Sequence, residues 1–342
     1  MNQTQNTQAK NAREKLQPTF ALKKLQGIKP KGVKLNSTPV VNKLIDIESR
    51  MFDHFYYNPP KRKIDLYYSL LTSSTSAGVV NEILTLWSKP FLDNIVFSQS
   101  DLENYVLSRS IQDLSDGSES YFIGFYSGIL LSTLTERNFA EGKRTRIYLD
   151  GLGNNFDYLF THANKIDQLI VENFNGDRIC SNMGAFGSFK SIAAINCSGD
   201  YILYDCSLSS ELPGVYALIN SKGDKSGRGY ANGALVIIKN YEGGSNNINE
   251  KNFICSDCVL SDEDFEAIER IKNKQGKIQC TKHWVEADGV LIQSGIYTSK
   301  YLFKDDLIKI ADLTEKLEIV DGVEKLKVLD EIYQIKVDSV NR

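Results

Sequence analysis

The amino-acid sequence predicts an α+β protein in which a helical N-terminal domain is followed by a parallel β-solenoid and a mixed C-terminal segment. Three observations carry this prediction. A motif of apolar residues, Asn and Gly recurs four times between residues 169 and 243. The sequence before the motif has the apolar spacing of helices, and the sequence after it contains two pairs of potential zinc ligands.

Each copy of the repeat contains three apolar residues, then Asn after one intervening residue, and Gly three residues later. The triplets begin at Leu169, Ile192, Tyr216 and Val236, the Asn residues are Asn173, Asn196, Asn220 and Asn240, and the glycines are Gly176, Gly199, Gly223 and Gly243. The glycines are 23, 24 and 20 residues apart, and a degenerate copy, Ile147-Tyr148 with Asp150 and Gly153, lies a further 23 residues upstream. Such a period is typical of a solenoid, in which stacked units share one core.

The repeat also predicts the register of the strands. Ile170, Ala193, Ala217 and Ile237 should form one column of parallel strands spaced by about 4.8 Å. The alternative is an antiparallel β-domain with evenly spaced hairpins, because apolar runs bounded by Gly and Asn also describe meanders. The constant Asn-to-Gly offset favours the solenoid, as does the Asp that follows three of the glycines, namely Asp177, Asp200 and Asp224.

The glycine-rich segment from Gly223 through Gly227, Gly229 and Gly233 to Asn240 resembles a repeat of a known right-handed β-helix family. That family comprises the C-terminal domain of the glutamate synthase large subunit and one of the subunits of formylmethanofuran dehydrogenase. The resemblance covers about residues 145–245, and it implies right-handed coils and a structural role without catalytic residues. The coils here are longer, and the glycines between Gly176 and Gly223 are sparser, than in the family pattern.

Composition divides the chain into four parts. These are a disordered basic arm (1–37), a helical domain (38–141), the β-helix repeats (142–249) and a zinc-binding and helical C-terminal segment (250–342). In the helical domain, Thr38 can cap a first helix that ends at Asn58. Further helices are predicted over residues 61–71, 78–88, 101–110 (capped by Ser100) and 118–136. Either flanking part could cap the ends of the solenoid.

Cys255 and Cys258, followed by Cys280 and His283, form two pairs of potential ligands with the same internal spacing. Two such turns can present thiolates and an imidazole to one tetrahedral Zn²⁺. With four protein ligands the site would be closed and structural. The alternative is that the cysteines are small core residues and the histidine lies on the surface.

The charge distribution is uneven along the chain. Residues 1–63 contain 13 Lys and Arg against 4 Asp and Glu, a net charge of +9, which leaves −12 for the rest of a chain of net charge −3. The cations singled out are Lys23, Lys24, Lys29, Lys31, Lys34, Lys61, Arg62 and Lys63. They predict an anionic partner, either RNA or a ribonucleoprotein, or a protein with an acidic face. The alternative is a solvated tail.

The remaining features limit the function. The first residues lack an apolar leader, and the apolar stretch Tyr121–Leu134 is too short for a membrane span. The cysteines do not form a secreted disulfide pattern, which predicts a cytoplasmic protein. No small-molecule substrate is evident. We therefore expect a non-catalytic scaffold or binding protein, with two alternatives: an accessory subunit of a larger enzyme, or a carbohydrate-active β-helix enzyme that uses the repeat aspartates.

Overall fold

The computed structural model describes residues 38–57, 88–110, 117–184, 188–206, 214–227, 235–242, 252–256, 284–287, 290–294 and 304–341. The helices are α1 (Pro39–Tyr57), α2 (Gln99–Ser110), α3 (Gly117–Ala140), α4 (Lys304–Ile319) and α5 (Val323–Asn341). The strands are β1 (Arg146–Asp150), β2 (Lys165–Glu172), β3 (Ser188–Ile195), β4 (Val215–Ile219), β5 (Leu235–Lys239), β6 (Asn252–Ser256), β7 (Trp284–Ala287) and β8 (Val290–Ser294). The prediction of helices combined with a parallel β-solenoid is confirmed.

Strands β1 to β5 form the solenoid, and each is parallel to the next. The predicted column is confirmed, since Ile170 pairs with Ala193, Ala193 with Ala217, and Ala217 with Ile237. The antiparallel alternative is therefore wrong for these five strands. The parallel stack ends at β5, which pairs antiparallel with β6, and the sheet continues through β8 to β7.

The degenerate first copy, Ile147-Tyr148 with Asp150 and Gly153, keeps one register with the second coil along β1 and loses it at the corner that follows. Ile147 pairs with Leu169, a step of 22 and not the predicted 23, and Asp150 pairs with Glu172, one position before the Asn column. The next bridge joins Asn155 to Asn175, so this corner is two residues longer in the first coil than in the second. Gly153 consequently does not stack under Gly176, and its assignment to the glycine column was wrong.

The coil segments after the glycines alternate between right-handed and left-handed backbone. Positive φ angles occur at every second residue, for example at Tyr158, Phe160 and His162 in the first coil. Because of this alternation, backbone N–H groups two residues apart in the second coil donate hydrogen bonds to the following coil and to the preceding coil in turn. The N–H of Cys180 donates to Leu159 O at 2.7 Å, and that of Arg178 donates to Asp200 O at 2.7 Å.

Helices cover the solenoid on two sides. Strand residues that face into the coils, such as Leu169 and Val171, share one apolar core with α1, α2 and α3. The alternate strand residues, such as Ile170 and Ile195, pack against α4 and α5 in a second core. Ion pairs join this helical hairpin to the coils, and they are Lys325–Glu172 at 2.6 Å, Lys239–Glu318 at 3.1 Å and Arg144–Asp330 at 3.1 Å.

Helix α3 packs directly on the first coil. Its Ser127 hydroxyl accepts the N–H of Phe160 at 2.9 Å, and its Ser132 hydroxyl accepts the N–H of Asn164 at 2.8 Å. A Cβ at Gly128 would lie 2.4 Å from Thr161 O, so a side chain at this position would hold the helix away from the coil. The prediction of a helix over residues 118–136 is confirmed. In the described part of the chain no helix is both long and apolar enough to cross a membrane.

The first two helices begin with side-chain caps. Thr38 Oγ1 accepts the N–H of Val41 at 3.2 Å, which confirms the predicted cap of α1. The prediction of Ser100 as the cap of α2 is wrong, because Ser98 Oγ accepts the N–H of Asp101 at 3.3 Å. In return Asp101 accepts the N–H of Ser98 at 2.9 Å, forming a reciprocal capping box. The predicted helices over 61–71 and nearly all of 78–88 lie outside the described residues.

Candidate binding groove

The Asn corner of each coil presents side chains outward in a fixed pattern. Asn173, Asn196, Asn220 and Asn240 have φ between 50° and 57°, a left-handed conformation that Asn tolerates better than most residues. The next residue in each coil points inward and is buried, as Phe174, Cys197, Ser221 and Tyr241 are. The residue after that points outward again. Each coil therefore contributes two outward polar side chains, one on either side of an inward residue.

These outward side chains border a concave groove of about 470 Å³. Its lining residues are Asn175, Asn196, Cys197, Ser198, Asn220, Ser221, Lys222, Asn240 and Glu242. The bridges Asn175 to Ser198, Ser198 to Lys222 and Lys222 to Glu242 show that four consecutive coils form it. The groove therefore follows the stacking direction of the solenoid.

The backbone of the groove is held by bonds between coils. The N–H groups of Asn196 and Asn220 donate to Ile219 O and Lys239 O, both at 2.9 Å, and Lys222 N–H donates to Cys197 O at 3.0 Å. Among the side chains, Asn240 Nδ2 donates to Asn220 Oδ1 at 2.8 Å, and Ser198 Oγ donates to Asn175 Oδ1. The lining is thus preorganised.

Charge in the groove is balanced. Lys222 and Glu242 are exposed and occupy adjacent positions of one column. Burial raises the pKa of the Cys197 thiol to about 12, so this residue forms a neutral, protonated part of the floor. A thiol in that state is a poor nucleophile. The groove offers amides, hydroxyls and one pair of opposite charges.

The repeat aspartates form a separate column with a structural role. Asp177 Oδ1 accepts the N–H of Asp200 at 2.8 Å, and Asp200 Oδ1 accepts the N–H of Asp224 at 2.7 Å. Asp157 extends the column by accepting the N–H of Asp177 at 2.8 Å. The carboxylates of Asp157, Asp177 and Asp200 therefore each bond one coil to the next, and none of the four aspartates lines the groove.

His162 lies at the contact between α3 and the first coil. Its ring centroid is 6.5 Å from that of Tyr121 and 5.8 Å from that of Phe125. Burial, together with the nearby positive charge of Arg178, lowers the pKa of His162 to about 4. The imidazole is therefore neutral at pH 7 and contributes to packing.

We expect His162 to make the protein less stable in acid. A pKa of about 4 in the folded state, against 6.5 when unfolded, means that the unfolded chain binds a proton first as the pH falls. Its contribution is complete above pH 6.5 and is lost towards pH 4. Between pH 7 and pH 4.5 this amounts to about 2 to 3 kcal/mol. Urea unfolding of wild type and His162→Asn, which suits the left-handed backbone, measures it. An equal pH dependence in both proteins would contradict the prediction.

The sequence-predicted sites fall mainly outside the described residues. Cys258, Cys280 and His283 are among them, as are the arm residues Lys23, Lys24, Lys29, Lys31, Lys34, Lys61, Arg62 and Lys63. The backbone of Cys255 lies in β6, between Val236 of β5 and Gln293 of β8. Within the residues that the structure does describe, no three His, Cys, Asp or Glu side chains are grouped to bind a metal. The zinc site stays a prediction.

No family model, no curated protein and no solved structure matches the chain. The resemblance to the glutamate synthase and formylmethanofuran dehydrogenase β-helix therefore stays a prediction, including the right-handed coil that it implies.

Sequence reasoning missed the groove residues other than the repeat asparagines. The signal was present, because a polar residue stands two positions after each repeat Asn: Asn175, Ser198, Lys222 and Glu242. In the structure each of these residues faces outward like the Asn two positions before it, on the other side of a buried residue. The pattern therefore marks a second outward column beside the Asn column. It was hidden because these four residues differ in type.

Proposed function

We propose that this chain is a non-catalytic binding protein, in which the solenoid is a rigid platform and the groove is the ligand-binding surface. The observation that carries the proposal is the groove itself, a concave polar surface formed by four consecutive coils. The bonds between coils hold its shape without a ligand. A preformed site binds with little ordering cost, which favours recognition.

The distribution of carboxylates supports binding over catalysis. Most glycoside hydrolases cleave the glycosidic bond with two carboxyl groups that flank it. Of the described residues that line the groove, Glu242 alone carries a carboxylate. The repeat aspartates, which a carbohydrate-active enzyme would use, bond successive coils to one another. This arrangement favours the binding protein over the enzyme.

The burial of the apolar sheet face by helices argues against the alternative that the chain is an accessory subunit of a larger enzyme. Such a subunit would be favoured by a large apolar face exposed on the solenoid. In the described coils, Leu152 is the one large apolar residue that is exposed, at 65%. Helices α4 and α5 cover the apolar strand residues that would otherwise form such a face. The described solenoid therefore presents polar surface to its surroundings.

The basic arm supports a second, independent proposal. We propose that residues 1–37 bind an anionic partner, with RNA as the first candidate, because +9 of charge is concentrated in residues 1–63. Each phosphate contact contributes about −0.7 to −0.9 to the log–log salt dependence of binding. Deleting residues 2–37 should remove most of that dependence. Equal RNA binding by both proteins would instead favour a protein-docking tail.

A ligand panel tests the proposed function. Neutral hexasaccharides, hexagalacturonate, oligouridylate RNA and an extended decapeptide mixture are each added to the full chain, and thermal unfolding is followed. A ligand at ten times its Kd should stabilise the protein by about 1.4 kcal/mol. We expect at least one class to stabilise it and to slow amide exchange at residues 196–198 and 220–222.

Two results would overturn the proposal. In the first, every class leaves both unfolding and exchange in the groove unchanged. In the second, mass spectrometry of the recovered ligand shows that the protein has cleaved it, which would identify an enzyme. An intact ligand with exchange slowed in the groove supports the non-catalytic binding protein.

A further inference from the structure

We infer that the ligand of the groove is a neutral, hydroxyl-rich polymer, an uncharged glycan chain lying along the stacking direction of the coils. The inference rests on the proposed binding function and adds the ligand class. It follows from three properties of the groove: its length, the hydrogen-bonding capacity of its lining and its balanced charge.

The length of the groove indicates an extended ligand. Its outer column runs from Asn175 through Ser198 and Lys222 to Glu242, one residue in each coil. Three steps between neighbouring coils of about 4.8 Å give a span of about 14 Å. Beside this column the Asn amide recurs in successive coils, at Asn196, Asn220 and Asn240, so a polymer can make similar contacts with successive units. A compact metabolite would occupy only part of this surface.

The lining suits hydroxyl groups. An amide both donates and accepts, as a sugar hydroxyl does. Asn220 Oδ1 accepts from Asn240, whereas its Nδ2 donates to no protein atom in the described part of the chain. Ser198 Oγ donates to Asn175 and keeps lone pairs that can accept. The groove therefore offers donors and acceptors side by side.

An extended peptide fits this groove less well. Peptides that add a strand to a sheet need free backbone N–H and C=O groups, and here Asn196, Ser198 and Lys222 all donate their N–H groups to neighbouring coils. In strand addition, pockets for alternate side chains provide the specificity. The residues that line this groove are polar apart from the buried Cys197.

Nucleic acids and acidic glycans fit less well because of charge. Their binding depends on several cations that neutralise phosphates or carboxylates. Lys222 is the one cation among the described residues that line the groove, and Glu242 in the next coil balances it. A polymer without charge meets no electrostatic penalty on this surface.

Calorimetry on the full chain tests the ligand class. Cellohexaose, maltohexaose and laminarihexaose are titrated up to millimolar concentration in low salt and in 200 mM salt. We expect at least one to bind, with Kd changing less than about twofold between the salts, because no ion pair with the ligand forms. Hexagalacturonate and oligouridylate should bind more weakly in the groove.

A conservative variant locates the site. Asn220→Asp keeps the shape, the left-handed backbone preference and the acceptor for Asn240, but it replaces the Nδ2 donor with an anionic oxygen that cannot donate. The control variant described next introduces the same negative charge. We expect it to weaken glycan binding by ~3- to 10-fold, the effect of losing one hydrogen bond. Asn182→Asp is the matched control, because Asn182 has a similar φ of 53° in a neighbouring coil segment and does not line the groove. It should bind as wild type does.

The other outcomes separate this inference from the proposed function. If RNA, hexagalacturonate or peptide binds with sensitivity to Asn220→Asp and no neutral glycan does, the ligand class is wrong and the groove-binding function stands. If a neutral glycan binds equally to wild type and Asn220→Asp, the glycan site lies elsewhere and the inference fails. If nothing in the panel binds, both fail.

Discussion

Replacing Gly199 with alanine is expected to cost at least about 4 kcal/mol of folding free energy, or to prevent folding. Gly199 has φ +144°, a conformation that side chains rarely adopt, and a Cβ there would lie 1.9 Å from Gly176 O in the preceding coil. The coils cannot separate cheaply, because Gly199 N–H donates to Lys222 O at 2.9 Å and Gly176 N–H to Ser198 O at 2.8 Å. Urea unfolding followed by circular dichroism measures the change.

Gly153→Ala is the matched control for this prediction. Gly153 also has a positive φ, +82°, but a Cβ there has no heavy atom within 4 Å. The control should therefore show only the backbone cost of a left-handed residue, about 1 to 2 kcal/mol. If Gly199→Ala and Gly153→Ala lose similar stability, close stacking of the glycines does not hold the coils together.

The contrast between these glycines shows what the repeat could predict. The repeat predicted the solenoid and the register of β2 to β5, because the constant offsets within each copy place equivalent residues at equivalent positions of successive coils. It failed at Gly153 because the first corner contains two additional residues, and a spacing rule cannot distinguish such an insertion from a true repeat. The structure instead places Phe156 under Gly176, where Phe156 O lies 2.6 Å from the position of a Cβ.

Features that depend on distant parts of the chain were less predictable. That α4 and α5 would cover the sheet depends on contacts such as Gln168 Nε2 to Leu326 O, at 2.5 Å across 158 positions of sequence. The spacing of apolar residues in a helix shows which face is buried, but it does not show which element that face packs against. The side of the groove formed by Asn196, Asn220 and Asn240 could have been predicted, because these residues belong to the repeat. The other column, Asn175, Ser198, Lys222 and Glu242, could not, because the sequence does not show that the side chain two positions after each Asn also faces outward.

The first helix contains a signal that sequence reasoning missed. Glu48 stands on the same face as Val41, Leu44 and Met51, and all four are buried. A carboxylate at a core position is stable only with a partner. Here Arg109 of α2 donates to both of its oxygens, and the hydroxyl of Tyr105 donates to it as well. A charged residue within an apolar stripe thus predicts a buried ion pair, although the sequence does not name the partner.

Breaking this pair is the second large effect that we expect. Arg109→Met should destabilise the protein by about 3 to 5 kcal/mol at pH 8, because Glu48 is only 3% exposed and would be left as an unpaired buried charge. Burial already raises the pKa of Glu48, and removing Arg109 removes the main influence that opposes this rise. A carboxyl whose pKa is raised by folding loses stability as the pH rises above its unfolded value. The loss should therefore be smaller at pH 5 than at pH 8.

A fully apolar replacement separates the cost of an unpaired charge from the value of the ion pair. In the triple variant Glu48→Met, Tyr105→Phe and Arg109→Met, no charge or hydroxyl of the cluster remains buried. Apolar replacements of buried ion pairs are often neutral or stabilising, so this variant should unfold within about 1 kcal/mol of wild type. Comparing variants at each pH cancels the contribution of His162, which all of them share. If Arg109→Met alone is within about 1 kcal/mol of wild type at pH 8, Glu48 is not held as a charge by Arg109, and the cluster owes its stability to packing of α1 against α2.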